Sequence, residues 1–158
     1  MYKIYLILHF FLMLLWIIPA SISVYQLLVH FKNEEKDEQI SILKGIQTLS
    51  NKTELFASFF IPLIGILMIV EQRFWLTIGV INIKILIALV AIALYHISRG
   101  KLKNLIAVLE SGNSANILAK QYIILRIITL ILLAAIFILI VHYKGQISTF
   151  YIIKSWWL

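Results

Sequence analysis

The chain has 158 residues, a formal net charge of +7 and 62% hydrophobic residues. Its mean hydropathy of +0.98 lies far above that of a soluble domain, where about 45–50% of residues are apolar. The absence of cysteine excludes disulfide frameworks, thiolate zinc sites and cysteine-ligated clusters, and basic residues scattered through membrane-flanking loops without a nucleic-acid motif exclude nucleic acid as a partner.

The first apolar run, Ile4 to Leu28, exceeds the about 20 helical residues needed to cross a hydrocarbon core. It is too long for the apolar region of a secretory signal and lacks a small-x-small cleavage site, so it is expected to remain as a first span. Lys32 to Glu38 follows as a solvated charge run. Ser41 to Leu49 predicts an amphipathic helix at the interface, with Ile42, Leu43 and Ile46 on its apolar side. The second span covers about 52–70; its apolar part, Leu55 to Val70, is short and needs Ser50–Glu54 or a tilt to cross. Glu71 to Trp75 predicts a tight turn into the third span, 76–98. Arg99 to Lys120 joins it to the fourth span, 121–142, through a basic start and a flexible Ser111-Gly112-Asn113-Ser114. Arg126 stands near the beginning of that last span. The expected fold is all-α, one polytopic four-helix transmembrane bundle over residues 1–158.

Basic residues orient the bundle. The loops after spans one and three carry Lys32, Lys36, Lys44, Lys52, Arg99, Lys101, Lys103 and Lys120, against Lys3, Arg73, Lys144 and Lys154 on the other side. The positive-inside rule places the first set in the cytoplasm and both termini outside. Phe150 to Trp157 is then an aromatic anchor at the outer interface. An integral protein of a bacterial inner membrane is expected, in contact with the lipid bilayer and working as a homo-oligomer or a subunit of a membrane complex.

Specific chemistry is sought among the ionisable residues within the spans, because a charge there is costly and rarely present without a role. His9, Trp16, Ser23 and His30 recur at intervals of seven, which keeps them on one slowly drifting helix face. Lys84 carries an insertion cost of about 2.5–3.5 kcal/mol and has no charge partner on its own helix. A carboxylate-bearing small molecule is its natural counter-ion, and snorkelling to the surface is the alternative. Asn82, Leu89 and His96 form a separate stripe; Asn82 is offset from Lys84 by roughly 200° at about 100° per residue, and Tyr95 falls nearer the lysine face. His9 and His96 are the candidate metal ligands, but they approach opposite ends of parallel spans and do not suit one axial pair. Depth allows His30 with His96, His9 with His142, or a single histidine with Met13 or nothing opposite. Gly-rich phosphate loops, HExxH and GxSxG are absent. Carboxylates near the spans are confined to Glu54 and Glu71 at the edges of span two, which argues against paired-carboxylate catalysis.

Leu8-His9, Trp16, Val24-Tyr25 and His30 resemble the first helix of the HemJ-type protoporphyrinogen oxidases. Trp75-Leu76, Ile83-Lys84 and Tyr95-His96 before a basic loop resemble that family's third helix, and Pro62 matches a proline in its second. The broader relatives are CopD-like copper-resistance membrane domains. The resemblance implies haem b and a tetrapyrrole substrate, with His9, His30 and His96 as cofactor-binding candidates beside Met13, the ligand that depth allows opposite a single histidine. It also implies that His9 and Lys84 are the essential histidine and lysine for the oxidation of protoporphyrinogen IX to protoporphyrin IX, with Trp16, His30 and His96 lining the site, Lys84 and Trp16 as the catalytic candidates and Lys84 suited to a propionate. Residues 18–23 read Ile-Pro-Ala-Ser-Ile-Ser, without the arginine usual there, and the Asn-Glu-x-Pro motif of the family's last helix is absent around 122–129. The alternatives are a CopD-like copper-handling protein using His9, Met13 and His142, and a non-catalytic membrane subunit or assembly factor.

Overall fold

The computed structural model describes residues 1–29, 31 and 35–155, with side chains for all of these except 141 and 143–155. Five helices follow in chain order: α1 Tyr2–Val29, α2 Lys36–Lys52, α3 Glu54–Glu71, α4 Gly79–Glu110 and α5 Asn116–Ser155. A short 3-10 turn, Arg73–Thr77, links α3 to α4. Four helical stretches are long and apolar enough to cross a membrane: Tyr2–Val29, Lys36–Glu71, Gly79–Glu110 and Asn116–Ile140. The protein is an all-α, four-helix integral membrane bundle.

All-helical architecture follows from the solvent. Hydrocarbon offers no partners for backbone N–H and C=O groups, so each span must satisfy them internally. Pro19 and Pro62 lie inside α1 and α3, where each removes one ladder donor. Nearby hydroxyls turn back onto the helix instead of facing lipid: Ser21 Oγ donates to the Ile17 carbonyl and Ser23 Oγ to that of Pro19, both at 2.8 Å.

Packing defines a ring with one open side. α1 packs on α3 and on α5, and α5 packs most extensively on α4. The backbones of α3 and α4 do not pack closely on each other among the described residues, although only the 3-10 turn separates them. The pairs α1/α4 and α3/α5 therefore face each other across the interior, and only long side chains can bridge them. Two cores fill the bundle. The middle core holds Leu12, Met13, Trp16, Ala57, Ile61 and Tyr95 among others. The second joins Leu27 and Phe31 to Leu43 and Ile46 of α2, to Leu102 and Leu105 of α4, and to Tyr122 of α5.

That second core corrects two expectations about the basic end. Ser41–Leu49 does not lie along the interface as an isolated amphipathic element: Leu43 and Ile46 are fully buried against α4. The apolar face is the expected one, but it meets protein. α4 supplies that protein because it does not stop near Ser98. Its 32 residues span about 48 Å at 1.5 Å each, well beyond the about 30 Å hydrocarbon core. The stretch after it is a tight helix cap. Gly112 adopts φ +89, its N–H donates to the Leu109 carbonyl, and the N–H of Asn113 donates to that of Val108. This reciprocal pattern uses a glycine because left-handed backbone costs other residues. α5 begins at Asn116, five residues before the expected span.

The opposite end is stitched by terminal groups. The N-terminal amine meets Glu71 at 3.3 Å, Tyr2 stacks on Trp75 at 6.0 Å, and Trp75 Nε1 donates to Gln72 at 3.0 Å. The expected aromatic anchor at 150–157 lies outside the described side chains.

Leu43→Ala separates the two roles of α2. A core position should lose about 2–5 kcal/mol of stability through the lost contacts and the cavity left behind, read as a lowered thermal midpoint in detergent. A helix merely resting on the interface would show almost no shift.

Candidate functional site

The interior polar residues divide into two groups by depth. At the basic end, Glu54 opens α3 and Arg126 lies ten residues into α5. Glu54 Oε2 accepts from Arg126 Nη1 at 2.6 Å and Oε1 accepts from Nη2 at 2.7 Å. Both side chains are almost wholly buried, at 0% and 2% exposure. Desolvating two ions is tolerable only because the fork meets both carboxylate oxygens at once. Tyr95, on α4, reaches Ser50 with its hydroxyl 3.1 Å from Ser50 Oγ. This end is nearly saturated; among the buried side-chain atoms of the described residues there, Arg126 Nε alone lacks a partner.

Toward the terminal end the chemistry changes. His9 is two turns into α1 and buried, and Lys84 is five residues into α4. Lys84 Nζ lies 3.5 Å from His9 Nε2, a contact across the α1/α4 gap between residues 75 positions apart. An ammonium can only donate, so Nε2 is the acceptor and the proton of the neutral imidazole sits on Nδ1. The imidazole faces the backbone carbonyl of Ile61, although buried Nδ1 forms no well-aligned hydrogen bond, and Trp16 Nε1 is buried without a partner among the described residues. Trp16, 1% exposed, sets its ring edge-on against Tyr95 with centroids 5.6 Å apart. The Cα of Gly65 passes close to this imidazole: a Cβ there would stand 3.8 Å from His9 Cε1. A larger residue at 65 would press on the ring.

The terminal half of the interior is thus rich in donors and poor in acceptors. Lys84, His9 Nδ1–H and Trp16 Nε1–H have no carboxylate among the described residues. Burying unpaired donors costs about 1–3 kcal/mol each, and an uncompensated ammonium costs more. An anion or a neutral acceptor would complement these donors.

His9 and Lys84 meet across the interior, while Trp16 and Met13 belong to the adjoining middle core. His96 is not brought to them. It is exposed on the outer side of α4, with its ring 5.1 Å from that of Tyr95. Twelve residues separate it from Lys84, about 18 Å along the helix, so His9 and His96 cannot share a metal. Asn82 and Leu89 are exposed on that side as well, while Tyr95 is buried on the lysine side. His142 is exposed on α5, and His30 lies outside the described residues. No group of three His, Cys, Asp or Glu side chains converges among the described residues.

The Glu54–Arg126 pair is not evident in the sequence, where a carboxylate stands at the edge of span two and a solitary arginine in span four. The signal that could reveal it is depth. Spans two and four run in the same direction, and both residues stand near their starts.

Breaking the pair on one side should cost about 3–5 kcal/mol, because it strands a buried charge. Arg126→Met and Glu54→Leu are each expected to lower the thermal midpoint sharply. The double variant should recover most of the loss, and purely additive effects in this double-mutant cycle would contradict the coupling.

Comparison with models of known families, with curated proteins and with solved structures finds no match, so the chemistry of the site rests on these side chains alone.

Proposed function

We propose that this is a tetrapyrrole-handling integral membrane protein that holds the carboxylates of its ligand at Lys84 and His9. The observation that carries this reading is the half-buried Lys84–His9 contact, which joins an ammonium and an imidazole with no acid beside them among the described residues. A propionate would complete the donor set: it would accept from Lys84 in a charge-assisted bond and from the Nδ1–H of His9. Trp16 Nε1–H is a further donor to the same interior. The porphyrin body supplies the apolar surface that makes such a carboxylate soluble in the bilayer.

Iron ligation is a different demand, and the same residues do not meet it. A haem iron needs an imidazole lone pair. Nε2 of His9 is engaged by Lys84 and Nδ1 carries the proton, so neither nitrogen offers one. The fit is to the carboxylates of haem b or its precursors and not to the metal. A copper site would need several soft donors to converge, and His9 with Met13 supplies too few.

The family resemblance implies the oxidation of protoporphyrinogen IX to protoporphyrin IX. For that reaction the chain would hold the substrate's carboxylate, and the electrons and protons removed from the macrocycle would pass to a separate oxidant such as dioxygen or a quinone.

The reading is tested with three probes: protoporphyrin IX, haem b and protoporphyrin dimethyl ester, titrated into detergent-purified protein by absorption and fluorescence. The two acids should bind with similar affinity and the ester should not bind. Lys84→Met should weaken acid binding about 10–100-fold, as expected for loss of a charge-assisted bond worth about 1.5–3 kcal/mol, and should slow formation of fluorescent protoporphyrin from protoporphyrinogen. Binding of the ester as tight as that of the acid would refute the carboxylate role. Failure of folded, haem-supplied protein to develop a Soret band would refute the tetrapyrrole reading altogether.

A further inference from the structure

The open side of the ring is a crevice of about 820 Å³ between α3 and α4, remote from the Lys84–His9 contact. One wall is apolar and aromatic, with Phe56, Phe59, Leu63 and Ile66 of α3 facing Ile92 of α4. At the basic end the lining turns polar, with Asn51, Lys52 and His96. Arg99 closes that end by donating from Nε and Nη2 to Asn51 Oδ1 at 3.1 and 2.7 Å. Lys52 is exposed and has no carboxylate partner among the described residues. The nearest acid in sequence, Glu54, is already held by Arg126.

We infer that this crevice binds one anionic phospholipid of the cytoplasmic leaflet, with its headgroup at Lys52, Arg99 and His96 and an acyl chain along α3. Two observations select this occupant. The first is length: the apolar wall from Leu55 to Ile66 covers eleven residue steps, about 16 Å of helix, and half of an about 30 Å hydrocarbon core is about 15 Å. That matches an acyl chain in one leaflet and exceeds the span of a planar macrocycle. The second is charge. Two cations and an imidazole stand at the basic end of the bundle, where the positive-inside rule places the anionic cytoplasmic surface. The volume falls within the about 300–1,000 Å³ of ordinary ligand pockets, and the opening faces the bilayer, so a lipid enters by lateral diffusion alone.

The crevice exists for a reason visible in the packing. α2 packs against both α3 and α4 at the basic end, whereas the backbones of α3 and α4 do not pack closely on each other among the described residues. The gap between them carries a cationic group at the basic end and apolar side chains along α3.

Native mass spectrometry of protein released from nanodiscs tests the inference. Nanodiscs containing equal amounts of phosphatidylglycerol and phosphatidylcholine should give one retained lipid per chain, predominantly phosphatidylglycerol. The double variant Lys52→Gln/Arg99→Gln should lower that preference by about 25-fold, a factor of about five for each basic side chain near headgroups. Leu63→Trp, which fills the slot and leaves the charges in place, should abolish retention while the protein melts normally, which guards against misfolding of the double variant. Equal retention of the two lipids by the wild-type chain would overturn the inference. So would an unchanged preference in the double variant, retention undiminished by Leu63→Trp, or displacement of the lipid by equimolar protoporphyrin IX.

Discussion

Glu54 and Arg126 belong to helices that do not pack backbone to backbone, and their bidentate contact crosses the interior between α3 and α5. In hydrocarbon this contact acts less as a source of net stability than as a constraint on register. Desolvation offsets most of the Coulombic gain, but sliding α3 by one turn against α5 would leave a bare carboxylate and a bare guanidinium in an apolar interior. Few competing arrangements survive that penalty. α2 and α3, nearly continuous through Thr53, are held in place by the same contact: Thr53 still donates to the Leu49 carbonyl and Ala57 to that of Thr53.

The other diagonal, α1 to α4, is bridged differently. Trp16 and Tyr95 fill it with two large rings, and beyond them Lys84 reaches across to His9. Where the α3/α5 bridge matches donors to acceptors, this one faces donor to donor, with a single imidazole nitrogen as acceptor. The contrast lies within one bundle and one solvent. A fold able to satisfy an arginine at both carboxylate oxygens has left a lysine in the same interior without an acid. That asymmetry makes the terminal half the candidate site and the basic half a support.

Hydropathy alone makes the spans legible, because a run of about 20 apolar residues is long enough to cross hydrocarbon and too apolar to face water along its whole length. Helical periodicity also separates Lys84 and Tyr95 from Asn82, Leu89 and His96, which lie on opposite sides of α4. It cannot say what the apolar face of α2 will meet. Ile42, Leu43 and Ile46 make the same pattern against lipid headgroups as against Leu102 and Leu105, and only the extension of α4 past Ser98 decides between them. Arg99, Lys101 and Lys103 resemble a loop at a membrane boundary, so the expected span stops short of them. Basic residues are equally at home on a helix leaving the membrane, and the reliable stop signal is Gly112. His9 and Lys84 stand out individually by the cost of burying them. Their mutual contact depends on α1 facing α4 across the ring, which no spacing within either helix encodes.

α4 therefore divides two environments along its length. Its inner side carries Lys84, Ala91, Tyr95 and Ser98 into a closed interior, and its outer side carries Ile92 and His96 into the crevice beside α3. The aromatic wedge at Trp16 and Tyr95 keeps the two apart, because a fully buried tyrosine anchored to Ser50 cannot swing outward without leaving its hydroxyl unpaired in hydrocarbon. A carboxylate bound at Lys84 and a headgroup held at Lys52 would act on opposite sides of the same helix at opposite depths. Any coupling between them must then pass through the tilt of α4 itself, the one element common to both.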